Sequence, residues 1–218
     1  MAEQGVDALL LSVGADLPYF CGYQAVPLER LTMLVVPQNG PVKLIVPILE
    51  APRVVEHPEM FTVLPWSDGQ DPVALAAGLI KGANKVAVGD QMWAGFLVDL
   101  VALFPAAEFC RASEITAPIR MVKDAAEIAV LRKAGAAVDR IIADLQAGLM
   151  PLVGRTEGEV ASEIAQRIRD EGHYKVNFTI VASGPNAASP HHDPGKRVIQ
   201  YGENVLFDIG GTMAGPNG

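Results

Sequence analysis

Short apolar runs closed by Pro, Gly or Asp alternate with longer helical runs over the first half of the chain. "DALLLSV", "LTMLVVP", "VKLIVP", "FTVLPW" and "KVAVGD" each read as a buried strand, rich in Val, Ile and Leu and bounded by turn residues. Between them, "ILEAPRVVEH", "DPVALAAGLIKG" and "DQMWAGFLVDLVALF" read as helices. The second of these opens on Asp71 with Pro72 behind it, an N-cap followed by proline at the first helical position. Strands and helices in alternation predict an α/β layered domain that ends near Ala117.

The pattern then changes. In "APIRMVKDAAEIAVLRKAGAAVDRIIADLQAGLM", Ile128, Leu131, Val138, Ile142, Leu145 and Leu149 recur at helical spacing and predict one long amphipathic helix over residues 124–149, capped by Asp124. Pro151 and Gly154 break it. "RTEGEVASEIAQRIRDEG" predicts a second helix, with Thr156 and Glu159 as a capping box, Gly172 as its stop and Glu163–Arg167 as a pair one turn apart. Two strands follow, "KVNFTIVASG" and "ENVLFDIGG". A boundary within residues 117–123 separates two domains, 1–118 and 119–218.

Composition narrows the class. Half of the 218 residues are hydrophobic and 19% are charged, which excludes a disordered chain. The net charge is −8 and no stripe of Lys and Arg occurs, so no nucleic-acid partner is expected. The apolar runs are too short to cross a bilayer, and a soluble, cytoplasmic protein without a membrane partner is expected. Cys21 and Cys110 stand far apart with no CxxC, which predicts free thiols rather than a zinc knuckle.

The chemistry concentrates in "SGPNAASPHHDPGKRVIQYGENVLFDIGG", residues 183–211. Asp208 follows the apolar run "NVLF". A carboxylate buried there costs several kcal/mol unless it is paired or bound to a metal. The local sequence leaves two readings open: a functional carboxylate, or a strand-end aspartate capping a turn at the two glycines. His191 and His192 follow a polar loop. If that stretch is extended, neighbouring side chains face opposite ways, so at most one of them joins a site with Asp208. Solvated loop histidines are the alternative. "GPNG" at 215–218 is a turn signal, and the apolar strand before it reads as the first arm of a hairpin whose second arm lies beyond Gly218.

These residues carry a resemblance. "FTIVASGPNAASPHH" and "RVIQYGENVLFDIGG" resemble the signature of the proline-specific metallopeptidases, the prolidase and aminopeptidase P group related to creatinase. "GVDALLLSVGADLPYFCGY" is similar to the opening of that family's N-terminal domain, and "IRMVKDAAEIAVLRKAGAAVD" to the helix that begins its catalytic domain. The resemblance implies an α/β creatinase-like N-terminal domain followed by the first half of an α+β pita-bread catalytic domain. It implies a hydrolase acting on peptides at an Xaa-Pro bond, with two divalent metal ions (Mn²⁺, Co²⁺ or Zn²⁺) held by two aspartates, a histidine and two glutamates. It places Asp208 at the first aspartate and His191, directly after the proline, at a non-ligand histidine that contacts the substrate. It places Phe178 beside the pocket for the substrate's first residue. Relatives are commonly dimers, so a homodimer is expected.

The other four ligands that the resemblance calls for find no counterpart in these 218 residues. The expectation is therefore that this chain alone binds no metal pair and is inactive, and that the complete enzyme carries the activity. Two other functions share the architecture: a metal-independent, creatinase-like hydrolase and a non-catalytic pita-bread binding module.

Overall fold

The computed structural model describes residues 1–214, and the "GPNG" turn expected at 215–218 lies outside them. The chain divides into two compact units, Met1–Val122 and Lys123–Gly218.

In the first unit all five expected strands form: β1 (Ala8–Leu11), β2 (Met33–Pro37), β3 (Lys43–Pro47), β4 (Thr62–Trp66) and β5 (Lys85–Val88). A sixth, β6 (Glu108–Arg111), pairs in parallel with β5. It escapes the sequence because only two of its four residues, Phe109 and Cys110, are apolar, and they stand between charged residues at a sheet edge. The sheet order is β4-β3-β2-β1-β5-β6, antiparallel at β1–β2 and β2–β3 and parallel elsewhere. Both faces are covered, which is why the central strands are continuously apolar. Leu9, Leu11, Leu34, Leu44 and Val46 pack on one side with Leu17 and Phe61. Leu10, Met33, Val35, Ile45 and Val86 pack on the other with Trp66, Ala76 and Leu100. Trp66 satisfies its buried indole N–H on Leu31 O at 2.9 Å.

The helices of this unit are α1 (Asp16–Cys21), α2 (Pro72–Leu79), α3 (Ala94–Leu103) and α4 (Ser113–Met121). Asp71 caps α2 as expected, its carboxylate accepting the N–H groups of Val73 and Ala74. The helix expected in "ILEAPRVVEH" does not form. Only one 3₁₀ turn, Ala51–Arg53, occurs there, and Leu49 and Val55 are exposed. Pro52 removes a donor, and the β-branched Val54 and Val55 favour extended backbone. The reverse happens at α4, which runs through residues 117 and 118 despite Pro118 inside it. Proline leaves the carbonyl four residues earlier without its helical donor. That carbonyl, Glu114 O, accepts instead from the Gln4 side chain.

The second unit holds α5 (Ala125–Gln146), α6 (Glu157–Asp170), β7 (Lys175–Ser183) and β8 (Val205–Thr212). Asp124 caps α5 as expected and forms a capping box with Glu127, and the expected capping box of Thr156 with Glu159 is present on α6. The apolar stripe assigned to α5 is only partly buried. Ile128, Leu131 and Leu149 are exposed, and the buried row runs through Ala137 and Ile141. α6 lays Val160, Ile164 and Ile168 on one face of an antiparallel β7–β8 pair, against Val181, Phe207 and Ile209. The strand carrying Asp208 thus already has a partner, β7, which precedes it in the chain.

Gly211 lies where these layers meet. A β-carbon there would stand 2.8 Å from Ile168 Cγ2 and from Lys175 O, and 2.9 Å from His173. At Gly210 the nearest atom, at 3.0 Å, is on the movable Phe178 ring. Gly211→Ala is therefore expected to destabilise the second unit by roughly 1–3 kcal/mol, the cost of overpacking, and Gly210→Ala by less. Urea unfolding of the two variants compares them directly.

Candidate active site

The second unit brings the expected site residues onto two structures: the outer face of the β7–β8 pair, and the loop that joins the strands. In the register, Phe178 stands opposite Gly210 and Ile180 opposite Asp208, so all four lie on one face. That face is opposite the one covered by α6. Phe178 and Asp208 are exposed, and Phe178 lies over Gly210. Asp208 makes no hydrogen bond or ion pair among the described residues. It is not a turn cap. β8 continues past it through both glycines to Thr212. The two glycines serve close approach, to Phe178 on one face and to Ile168 and His173 on the other.

The joining loop is built around Glu157, the first residue of α6. Its side chain is fully buried. Oε1 accepts from Ser183 N at 2.7 Å, Ser183 Oγ at 2.8 Å and Asn186 Nδ2 at 3.0 Å. Oε2 lies 2.8 Å from His192 Nε2 and 3.1 Å from Asn186 Nδ2. Burial pushes the Glu157 carboxyl up, but the Ser183 N–H, His192, the Ser183 hydroxyl and Asn186 outweigh it and hold it at about 2. The Glu157 N–H donates to Arg197 O on the returning arm at 3.0 Å, and the Gly158 N–H to Gly195 O at 3.0 Å. Arg197 in turn pairs with Glu203 and donates to Ser183 O. Gly184 opens the turn with φ of 49°, and a β-carbon there would strike both Glu203 and Arg197.

The two histidines therefore differ. His192 is tied to the buried carboxylate. His191 is exposed and makes no hydrogen bond or ion pair among the described residues. No hydrogen bond joins His191 to Asp208 or Phe178 among those residues. Reading from the sequence did not single out Glu157. The available signal was a second acid in the first turn of a helix whose capping box already used Glu159.

A dinuclear metal centre does not fit the described residues by themselves. No group of three or more His, Cys, Asp or Glu side chains among them could hold an ion. One exposed carboxylate supplies too few donors for two hard cations.

Residues 1–122 match the family model of the creatinase/prolidase N-terminal domain. The chain belongs to the creatinase/prolidase family. Residues 129–216 match the model of metallopeptidase family M24. This creatinase/prolidase chain is 40% identical to the probable dipeptidase PepE of Mycobacterium tuberculosis, in an alignment covering 97% of the chain and 56% of that relative. The crystal structure of dipeptidase PepE from Mycobacterium ulcerans superposes with a TM-score of 0.87 at 41% identity, over 97% of this chain and 57% of that one. A recombinant prolidase from Thermococcus sibiricus gives 0.84 at 32% identity, over 97% and 59%. The chain thus spans little more than half the length of the relatives it matches. The fold is the expected one: a creatinase-like α/β domain followed by the opening elements of the pita-bread domain. Among the described residues no helix is long and apolar enough to cross a membrane.

The depressed Glu157 carboxyl generates a pH dependence. Its ordinary value is 4.5 and its folded value about 2. A lowered folded value contributes stability that is fully present above about 4.5 and is lost as pH falls towards about 2. Unfolding free energy measured against pH is expected to fall across that window. Glu157→Gln should flatten this fall and lower stability at neutral pH by roughly 1–3 kcal/mol, through buried groups left unpaired.

Proposed function

We propose that the complete protein is a metal-dependent peptidase that cleaves an Xaa-Pro bond, as an Xaa-Pro dipeptidase or aminopeptidase. In this reading Asp208 is one ligand of a pair of divalent ions (Mn²⁺, Co²⁺ or Zn²⁺). His191 contacts the substrate near the scissile carbonyl, and Phe178 lines the pocket for its first residue. The observation that carries the reading is the placement of Asp208. Its carboxylate has no partner among the described residues, and it shares the sheet face turned away from the α6 core with Phe178. A carboxylate kept for structure is tied down, as Glu157 is; this one is not. The names of the relatives, dipeptidase and prolidase, support the substrate class. A peptide with proline after the scissile bond has no N–H there, so such a site recognises ring shape. The proposal extends to a cytoplasmic homodimer with neither nucleic acid nor membrane as partner, in keeping with a net charge of −8.

In the complete protein, Asp208→Ala is expected to abolish metal-dependent release of proline from an Xaa-Pro dipeptide and to lower bound metal. His191→Ala should lower kcat about 100-fold, the scale for losing one donor to a developing oxyanion, with metal content nearly unchanged. His192→Ala should cost less. Metal analysis beside kinetics checks the assignment, and His191→Ala emptied of metal would reject it. Turnover that survives chelation points instead to the creatinase-like hydrolase, and no turnover with any metal to a binding module.

Within the same reading, residues 1–218 alone are inactive. Incubating that polypeptide with Mn²⁺ or Co²⁺ and an Xaa-Pro dipeptide should release no proline, and clear metal-dependent turnover would show that the site is misplaced.

A further inference from the structure

Glu157 holds both arms of the loop that carries the two histidines. On the outward arm its carboxylate takes the N–H and hydroxyl of Ser183, where β7 ends, the amide of Asn186 in the turn that follows, and the ring nitrogen of His192. On the returning arm its backbone N–H binds Arg197 O, and next to it Thr156 bridges to Val198. The group that does this is a buried carboxylate in the first turn of α6, where the helix dipole favours negative charge. A loop anchored at Ser183, Asn186, His192 and Arg197 has little freedom at residue 191. With its neighbour drawn inward to Glu157, His191 is left facing out.

We propose that Glu157 is a positioning residue for His191, acting through its hydrogen bond to His192, and that the tied His192 sets the direction in which His191 is presented to substrate. The proposal rests on the reading of His191 as a substrate contact. It assigns the adjacent histidine a distinct part, as the tether rather than a second reacting group. Displacements of about 1 Å at a reacting group can cost about 100-fold in rate, so a tether of this kind acts on turnover before it acts on binding.

The test uses the complete protein and an Xaa-Pro dipeptide. Glu157→Gln keeps an oxygen for Ser183 but loses a carboxylate oxygen facing His192. It should lower kcat about tenfold or more and leave KM within about twofold, the pattern of an interaction realised in the transition state. Its loss should not multiply with that of His191→Ala, because both act through one group. Losses that multiply, or a Glu157→Gln enzyme with full turnover, would overturn the proposal. If Glu157→Gln fails to fold, His192 supplies the second arm. His192→Gln keeps a donor for the carboxylate and should recover most of the turnover lost in His192→Ala. Equal loss in both also overturns the proposal. Full turnover by His191→Ala itself removes the reading of His191 and this proposal with it, whereas an impaired His191→Ala whose loss multiplies with Glu157→Gln removes the proposal alone.

Discussion

A carboxylate with no exposed surface has exchanged its water for protein partners, and at Glu157 these come from three residues, Ser183, Asn186 and His192. Ser183 is the last residue of β7, Asn186 belongs to the 3₁₀ turn Gly184–Ala188 that follows, and His192 stands beyond it. Removing a charge from water costs several kcal/mol, and the cost is met only when all the hydrogen bonds form together. The loop conformation and the charge state of Glu157 are therefore one condition. Arg197 and Glu203 extend the same condition to the returning arm, and their paired side chains lie against Gly184, whose left-handed backbone favours glycine.

The β7–β8 pair separates packing from chemistry by face. On the α6 side it is apolar and closely fitted, down to a glycine that admits Ile168 and His173. On the other side it presents Asp208 and Phe178 to solvent. Alternation along a strand makes this inevitable once one face is committed to the core. Val205, Phe207 and Ile209 must point to α6, so Leu206, Asp208 and Gly210 must point away.

What the sequence makes legible follows from how local the cause is. Asp71, Asp124, and Thr156 with Glu159 act within three residues, and all three caps are found as expected. The central strands are legible because both faces of their sheet are buried. The phase of α5 is not. Its buried row is centred on Ala137 and Ile141, and alanine carries little weight in a pattern ranked by hydrophobic size, whereas Leu131 carries much and is exposed. The helix expected over 48–57 fails because proline and adjacent valines disfavour helical backbone there. The glycines after Asp208 look like a turn because turns are the commonest local reason for paired glycine. Their actual reason, contact with Phe178, Ile168 and His173, is set by residues more than thirty positions away. Glu157 and His192 are separated by 35 positions, and no local pattern joins them.

The contrast between the two carboxylates is the chemical content of this unit. Glu157 is saturated: both oxygens are engaged, its charge is fixed by the donors around it, and nothing is left to bind a ligand. Asp208 is the converse, an exposed carboxylate with no partner among the described residues, held by strand pairing to Ile180 rather than by its own side chain. In its proposed role as a metal ligand, Asp208 would need its oxygens available on a fixed backbone. Strand pairing achieves this, because the ladder uses only main-chain atoms. The saturated acid organises the loop, and the available one faces out from a rigid strand.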